Sequence, residues 1–463
     1  MYNIDIREVL GKKEISLQDM LDAREKRVLE QQKILSFYNM TLISFTLNIP
    51  GSFKQFPLAE KTFEEGKKLI CSHLKRHNVI IEHVKDSSGI TGYEIFYSVN
   101  SESSYIKKLM VDIENSCMLG RIFDIDVLNA QGEKISRTDI EKEGRFCLLC
   151  GELAHVCSRS KAHNKEELIK KTIEIMQDYF FQQFASKCSF CACKALMYEV
   201  MTTPKPGLVD MTNNGSHKDM NIYTFIDSSS ILTTHFRDFV LAGIEFYRDE
   251  PEKLFERIRY LGMKAEEDMF KATSNINTHK GLIFSLGIIC TALGYLYANN
   301  KPLETDSISE MSKKMTVFLL KDFENVTKKN AKTYGEKLYA DYNITGIRGE
   351  AANGFSSVIK YGLPVLKDLI VKDLSLNDAG ALTLLNLIAN VKDTNVISRS
   401  DILTQAKVQK DIQNFINQNK LENISTNYIE NLDKQFIDMN ISPGGCADLL
   451  AITYMLYFIE EYI

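Results

Sequence analysis

Several short stretches of this chain gather the residue types that do acid–base and phosphate chemistry. Thr203-Pro204-Lys205-Pro206-Gly207-Leu208-Val209-Asp210 leads into Asn213-Asn214-Gly215-Ser216-His217-Lys218-Asp219-Met220. Two prolines fix φ around Lys205, and Gly207 lets the backbone approach a ligand. Lys205, Asp210, His217 and Asp219 thus fall within 15 residues of loop, a set able to bind a metal–triphosphate and supply a general base. Asn277-Thr278-His279-Lys280-Gly281 precedes an uncharged segment. There the free N–H groups of a helix start favour a phosphate and Lys280 adds charge, although Asn277 or Thr278 also suits an ordinary N-cap. A third loop, Gly346 to Phe355, holds Arg348, a bidentate fork for phosphate or carboxylate, and Glu350, a candidate acid or base. Ser442-Pro443-Gly444-Gly445-Cys446-Ala447-Asp448 opens the last helix as an anion-binding cap through Ser442 and Gly444, and Asp393-Thr394-Asn395 with Arg399 adds a further polar turn. Five such loops at helix ends point to one composite cleft.

The first third carries a different chemistry. In Gly120-Arg121-Ile122-Phe123-Asp124-Ile125-Asp126-Val127-Leu128, strand periodicity puts Asp124 and Asp126 on one face with Ile122, and Phe123, Ile125 and Val127 on the other. Side-by-side carboxylates repel unless a cation sits between them, and Mg²⁺ prefers one or two carboxylates plus phosphate oxygens. A solvated strand face is the competing reading. Arg121 is suited to a phosphate contact. Downstream, Arg145, Cys147, Cys150, Cys157, Arg159 and His163 cluster, with three cysteines and a histidine within 17 residues. That spacing resembles a small zinc site; we favour thiols packed beside a basic phosphate-binding group.

The elements that must hold these residues fall into two kinds. Helical spacing runs over 15–37 and 62–77, and β-branched and aromatic runs bounded by turn residues predict strands at 42–48, 79–84, 93–99 and 122–128. This is an α+β pattern. From residue 165 onward strand signals nearly vanish. Helices are predicted over 165–200, 228–248, 252–274, 281–299, 308–330, 379–391 and 446–463. The expected organisation is multidomain: an α+β domain over 1–180 followed by a larger all-α domain over 181–463. Segment 281–298 lacks any charge and approaches transmembrane length, but its glycines and hydroxyl residues favour a buried core helix. The 463 residues carry a net charge of −5, which argues against a nucleic-acid partner. The amino-terminal stretch lacks a signal-peptide pattern, so the ten cysteines are placed as thiols or metal ligands in a reducing, cytoplasmic compartment, with no membrane partner.

Two resemblances rest on these motifs. GRIFDIDVLNAQGEKISR and RFCLLCGELAHVCSRSKAH, with Leu47 to Gly51, Lys54 and Thr91 to Glu94, are similar to the citrate lyase holo-carrier-protein synthase family, CitX, over about residues 5 to 172. That resemblance implies a nucleotidyltransferase-type domain that moves a phosphoribosyl-dephospho-CoA group onto a serine of the citrate lyase acyl-carrier (gamma) subunit and releases diphosphate. It implies Mg²⁺ at Asp124 and Asp126, and phosphate contact by Arg121, Arg145 or Arg159. TPKPGLVD, NNGSHKDM, NTHKG, GIRGEAANGF and SPGGCADLLA resemble the triphosphoribosyl-dephospho-CoA synthase family, CitG, from about residue 185 to 463. Ser400-Asp401 departs from the glycine-bearing turn expected after Arg399. This family joins ATP to 3′-dephospho-CoA and releases adenine. The resemblance implies carboxylate work by Asp210, Asp219 or Glu350 and phosphate neutralisation by Lys205, Lys280 and Arg348. It also implies help for departing adenine from His217 or His279. Two other readings stay in view: the equivalent pathway for malonate decarboxylase, and a nucleotide-binding protein without turnover.

Overall fold

The computed structural model describes residues 9–10, 14–323, 326–331 and 334–463. The amino-terminal stretch without a signal-peptide pattern lies mostly outside the described residues, as do 324–325 of the helix expected over 308–330. Two compact units divide the chain, Met1–Phe180 and Phe181–Ile463.

In the first unit, α1 (Leu17–Tyr38), β1 (Thr41–Leu47), α2 (Pro57–Arg76), β2 (Ile81–Asp86), β3 (Glu94–Val99), α3 (Ser103–Ser116), β4 (Phe123–Leu128) and β5 (Lys134–Ile135) follow in order. The strands form one antiparallel sheet in the order β2-β3-β1-β4-β5. Because side chains alternate along a strand, Ile43 and Phe45 of β1 join Phe63, Phe123 and Ile125 in the main core, while Leu42 joins Ile34, Leu35, Phe96 and Leu128 under α1. α1 starts on a capping box, in which the Ser16 hydroxyl and the Asp19 carboxylate serve each other's backbone N–H. The sheet therefore has a helix-covered apolar face and a second face that α1 covers only in part. Asp124 and Asp126 open onto that second face, opposite Thr46 and Ser44. Ile122 does not share it: the residue is buried in a 3₁₀ turn, Met118–Ile122, that ends before β4 begins.

A short helix α4 (Ala154–Ser160) precedes α5 (Lys165–Met201). The second unit is helical, with α6 (Ile222–Glu245), α7 (Pro251–Ala272), α8 (Lys280–Ala298), α9 (Thr305–Met315), α10 (Tyr334–Tyr342), α11 (Gly346–Ala352), α12 (Leu363–Val371), α13 (Leu376–Asn390), α14 (Thr394–Arg399), α15 (Ile402–Asn419), α16 (Thr426–Asp438) and α17 (Gly444–Tyr462). The uncharged segment is α8. It is long and apolar enough to cross a membrane, yet most of it is buried inside this unit. Close approach to α6 explains its composition: a Cβ on Gly294 would sit 2.0 Å from the Val240 carbonyl oxygen, and one on Gly243 would sit 2.1 Å from that of Thr291. Only glycine lets the two backbones meet this closely.

Candidate active site

Within the second unit a cleft of about 710 Å³ opens where helices begin and end. Each of the five polar loops contributes to its wall: His217 and Asp219, Thr278 to Gly281, Glu350, Asp393 with Arg399, and Ser442 to Asp448.

The loop before α6 is held by its own chain. Lys205 is 1% exposed, and its ammonium donates to a Glu199 carboxylate oxygen at 2.5 Å and to the Glu199 carbonyl at 2.7 Å. A buried cation paired this closely is committed to its counter-ion, so Lys205 lies in the wall without being free for a phosphate. Burial pushes the Glu199 carboxyl up while Lys205 opposes that shift. Asp210 does not line the cleft. Its oxygens accept the N–H groups of Lys205 (3.1 Å), Thr212 (2.7 Å) and Asn213 (3.0 Å), which makes it a turn-former and removes it from the carboxylates able to act on substrate. Gly207 meets backbone where a ligand was expected: at φ +69° its Cα faces the Ile441 carbonyl oxygen, 2.2 Å from where a Cβ would stand. Buried Asp433 accepts from the Gly207 N–H and the Asn213 amide, both at 2.8 Å, and so ties the two halves of the loop together.

Two histidines face the cleft in defined tautomers. Arg399 Nη2 lies 3.2 Å from His217 Nδ1, and a guanidinium only donates, so Nδ1 accepts and the proton sits on Nε2, 2.9 Å from Ser442 Oγ. Burial and then the Arg399 charge hold the His217 pKa below the usual range, against a smaller pull from Asp219. At His279 the Thr278 hydroxyl donates to Ser228 Oγ at 2.8 Å, which leaves the Ser228 hydroxyl proton for His279 Nδ1 at 2.7 Å. The proton of neutral His279 therefore sits on Nε2, a buried atom without a hydrogen-bond partner among the described residues. Burial, helped by the Lys205 charge, pushes the His279 pKa down to about 3, so this ring is a neutral N–H donor at physiological pH.

Carboxylates dominate the floor. A Cβ on Gly281, at the start of α8, would lie 2.2 Å from Asp448 Oδ2. Burial pushes Asp448 well above the ordinary aspartate range, and the negative charges of Glu199 and Asp393 push it further. Asp393 is buried and accepts the N–H groups of Asn395 (2.7 Å), Val396 (3.3 Å) and Cys446 (2.7 Å), so one carboxylate fastens the starts of α14 and α17. Glu350 accepts from the Ser357 hydroxyl at 2.5 Å and its N–H at 3.1 Å. The expected Gly346 loop is the helix α11, and helical periodicity explains which residues face inward. Gly346, Gly349, Glu350 and Asn353 line the cleft, whereas Arg348 is exposed and does not. Lys280 lines the cleft and pairs with Glu266 at 2.9 Å. Lys280 N–H bonds Asn277 Oδ1 at 3.3 Å, but His279 occupies the N-cap position and makes no side-chain cap. After Arg399, Ser400 ends α14 and Asp401 caps α15, so the departure from a glycine turn forms a junction between helices.

In the first unit Asp124 and Asp126 share one face of β4. Burial raises the Asp124 carboxyl, and the Asp126 charge adds to it, while Lys134 pairs with Asp126 at 2.7 Å. A smaller cleft of about 290 Å³ in this unit is lined by Arg121, Arg137, Lys142 and Arg145, and neither aspartate is in its wall. Arg145 Nη1 donates to the Phe123 carbonyl at 2.7 Å and its other arm pairs with buried Glu114, which Arg137 also holds. Arg121 donates to the Phe146 carbonyl at 2.6 Å. Arg159 is exposed on α4 and is not in that wall. Cys147, Cys150, Cys157 and His163 bring their Sγ and ring nitrogen atoms together within 4.8 Å of one another.

Ser228, Glu199 and Asp433 escaped notice in the sequence as partners. Each lies in or beside an ordinary helical run, and only its contact across the fold gives it a role.

Comparison with known proteins matches residues 185–463 to the CitG family, described as ATP:dephospho-CoA triphosphoribosyl transferase. Residues 15–179 match the CitX family, described as apo-citrate lyase phosphoribosyl-dephospho-CoA transferase. The chain is 34% identical over 450 residues to Protein CitXG of Haemophilus influenzae, spanning 95% of each. It is 33% identical to Protein CitXG of Leuconostoc mesenteroides subsp. cremoris over 96% of this chain and 97% of that protein. Over 66% of this chain and 97% of the relative it is 36% identical to 2-(5''-triphosphoribosyl)-3'-dephosphocoenzyme-A synthase of Haemophilus ducreyi. The chain belongs to the fused CitX–CitG family, with the CitX part first and the CitG part second.

Proposed function

We infer that this chain is a bifunctional transferase of citrate lyase prosthetic-group biosynthesis, and that the cleft of the second unit is where ATP and 3′-dephospho-CoA react. The observation that carries the reading is the meeting of five polar loops on one cleft in the CitG-matching part. In the reaction a ribose hydroxyl of dephospho-CoA attacks the anomeric carbon of ATP. Its C–O bond forms as the glycosidic bond to adenine breaks, through an oxocarbenium-like state. The products are 2'-(5''-triphosphoribosyl)-3'-dephospho-CoA and adenine.

Asp448 suits the general base. It lines the cleft, and burial with two negative neighbours raises its carboxyl above the ordinary aspartate range, so a proton taken from the attacking hydroxyl is held more firmly there than on an exposed aspartate. The His279 Nε2–H, with its other nitrogen already serving Ser228, is an aimed neutral donor for a ring nitrogen of adenine. The starts of α8 and α17, each 19 residues long, would offer phosphate their positive dipole ends and the first-turn N–H groups other than those of Lys280 and Cys446, which Asn277 and Asp393 accept. Arg399, which also positions His217, supplies a fixed cation in the same wall. The donor set fits Mg²⁺: Asp219 and Glu350 stand in the wall with few cations to balance both themselves and an incoming triphosphate. When bound there, the ion would neutralise phosphate charge.

In the first unit the reading is a nucleotidyl transfer, in which a carrier-protein serine attacks the phosphorus next to the ribose and diphosphate leaves. Asp124 and Asp126 fit Mg²⁺ because the raised Asp124 carboxyl gains from a nearby cation. Arg121 and Arg145 would meet the phosphates, with Arg145 braced by Glu114. The citrate lyase acyl-carrier subunit is the proposed partner.

The test is Asp448→Asn. In a variant that keeps the native unfolding midpoint, adenine release is expected to fall about 100-fold or more. Full turnover would remove Asp448 from the base role.

A further inference from the structure

One cluster belongs to neither proposed reaction. Cys147 and Cys150 sit on a tight turn in which Cys147 N–H meets the Glu152 carbonyl at 2.5 Å and Ala154 N–H meets that of Arg145 at 2.8 Å. The Leu149 N–H points at Cys147 Sγ, 3.5 Å away, as backbone donors do around a thiolate. Cys157 is supplied by α4, and His163 by the residues just before the Asn164 turn that starts α5. The spacing resembles a zinc site, yet packed thiols are the favoured reading of the sequence, because a sequence does not show four side chains converging.

They do converge. Cys150 Sγ is 3.4 Å from Cys157 Sγ and 3.2 Å from His163 Nε2, and all four donor atoms lie within 4.8 Å of one another. A tetrahedral zinc with bonds of about 2.3 Å to sulfur sets its sulfurs about 3.8 Å apart, inside that range. The Sγ–Sγ separation is far beyond the ~2.05 Å of a disulfide, and all ten cysteines are free. We propose that Cys147, Cys150, Cys157 and His163 form a closed, structural zinc site. Three thiolates and an imidazole match zinc, not the oxygen-seeking Mg²⁺ of the phosphate chemistry. With four protein ligands no position is left for substrate, so the ion holds structure. It clamps the loop that begins at Arg145 and Phe146, the residues that engage Glu114, Phe123 and Arg121 beside the basic cleft.

The full chain, purified under reducing conditions and equilibrated with zinc, is then measured for metal by elemental analysis, and a cobalt-exchanged sample for its absorption spectrum. The expected result is one zinc per chain, with thiolate-to-cobalt charge transfer and the visible bands of a tetrahedral site. Cys150→Ser and Cys157→Ser should each weaken metal binding about tenfold or more, whereas Cys71→Ser, exposed and outside the cluster, keeps the full zinc content. His163→Cys should retain the metal with a shifted cobalt spectrum, which separates ligand loss from misfolding. Background zinc in a chain with native circular dichroism overturns the proposal. So does full zinc retention in a Cys150→Ser/Cys157→Ser double variant.

Discussion

Lys205 and Glu199 form a buried pair whose members need each other. Removing the ammonium strands a carboxylate with 5% side-chain exposure. Lys205→Met should therefore destabilise the second unit by about 3–5 kcal/mol, read as a lower denaturant midpoint with an unchanged slope. A midpoint within error of the parent would show the pair to be dispensable. His279 supplies a pH signature. Its folded pKa, about 3, lies below its ordinary value of 6.5, so the unfolded chain takes up the proton first. The stability tied to the neutral ring is full above about pH 6.5 and is lost as pH falls toward the folded pKa, by up to about 1.4 kcal/mol per pH unit. His279→Gln should flatten the fall in stability between pH 6.5 and 5, and an unchanged slope would contradict the assigned neutral state. Residue types and spacing made Lys205, His217, His279 and Glu350 visible as polar residues in loops. Their partners were not visible, because Ser442 lies 225 positions from His217 and Ser228 lies 51 from His279.

Among the elements, Gly207 holds the loop before α6 to the turn before α17. Its positive φ and the carbonyl 2.2 Å from any added Cβ leave no room for a side chain. Gly207→Ala should cost about 3 kcal/mol, and adenine release should fall with the population of the ordered loop. Strands β1, β3 and β4 were readable to within a residue or two because β-branched and aromatic residues alternate there between turn signals. The long apolar helices α8 and α17 were readable for the same reason of pattern. Two other helices, α11 and α15, were not. α11 spans 7 residues and opens with two glycines in its first four positions, which imitates a loop. α15 is rich in Gln, Asn and Lys and buries only Gln405 and Ile412, so its apolar stripe is too sparse to read. As a loop, α11 would offer Arg348 and Glu350 equally, whereas a helix turns Glu350 inward and Arg348 out.

For the whole molecule, the proposed function requires two separable reactions in one polypeptide, with the triphosphoribosyl-dephospho-CoA made by the second unit serving as substrate for the first. Arg145→Ala should reduce loading of the carrier protein at least about tenfold, as expected for loss of a charged phosphate contact, and leave adenine release intact. Asp448→Asn should do the converse when triphosphoribosyl-dephospho-CoA is supplied. Parallel loss of both activities in either variant would contradict the division of labour. The families are legible in the long loop motifs, and five polar loops at helix ends suggest one composite cleft, but their convergence is not legible, since segments spread over some 250 residues meet only in the folded unit. The most direct test of the central claim is to incubate the purified chain with ATP, Mg²⁺ and 3′-dephospho-CoA and to measure free adenine by chromatography. The account predicts adenine only when dephospho-CoA is present, in step with formation of the triphosphoribosyl product. A folded chain that binds ATP yet releases no adenine would contradict it.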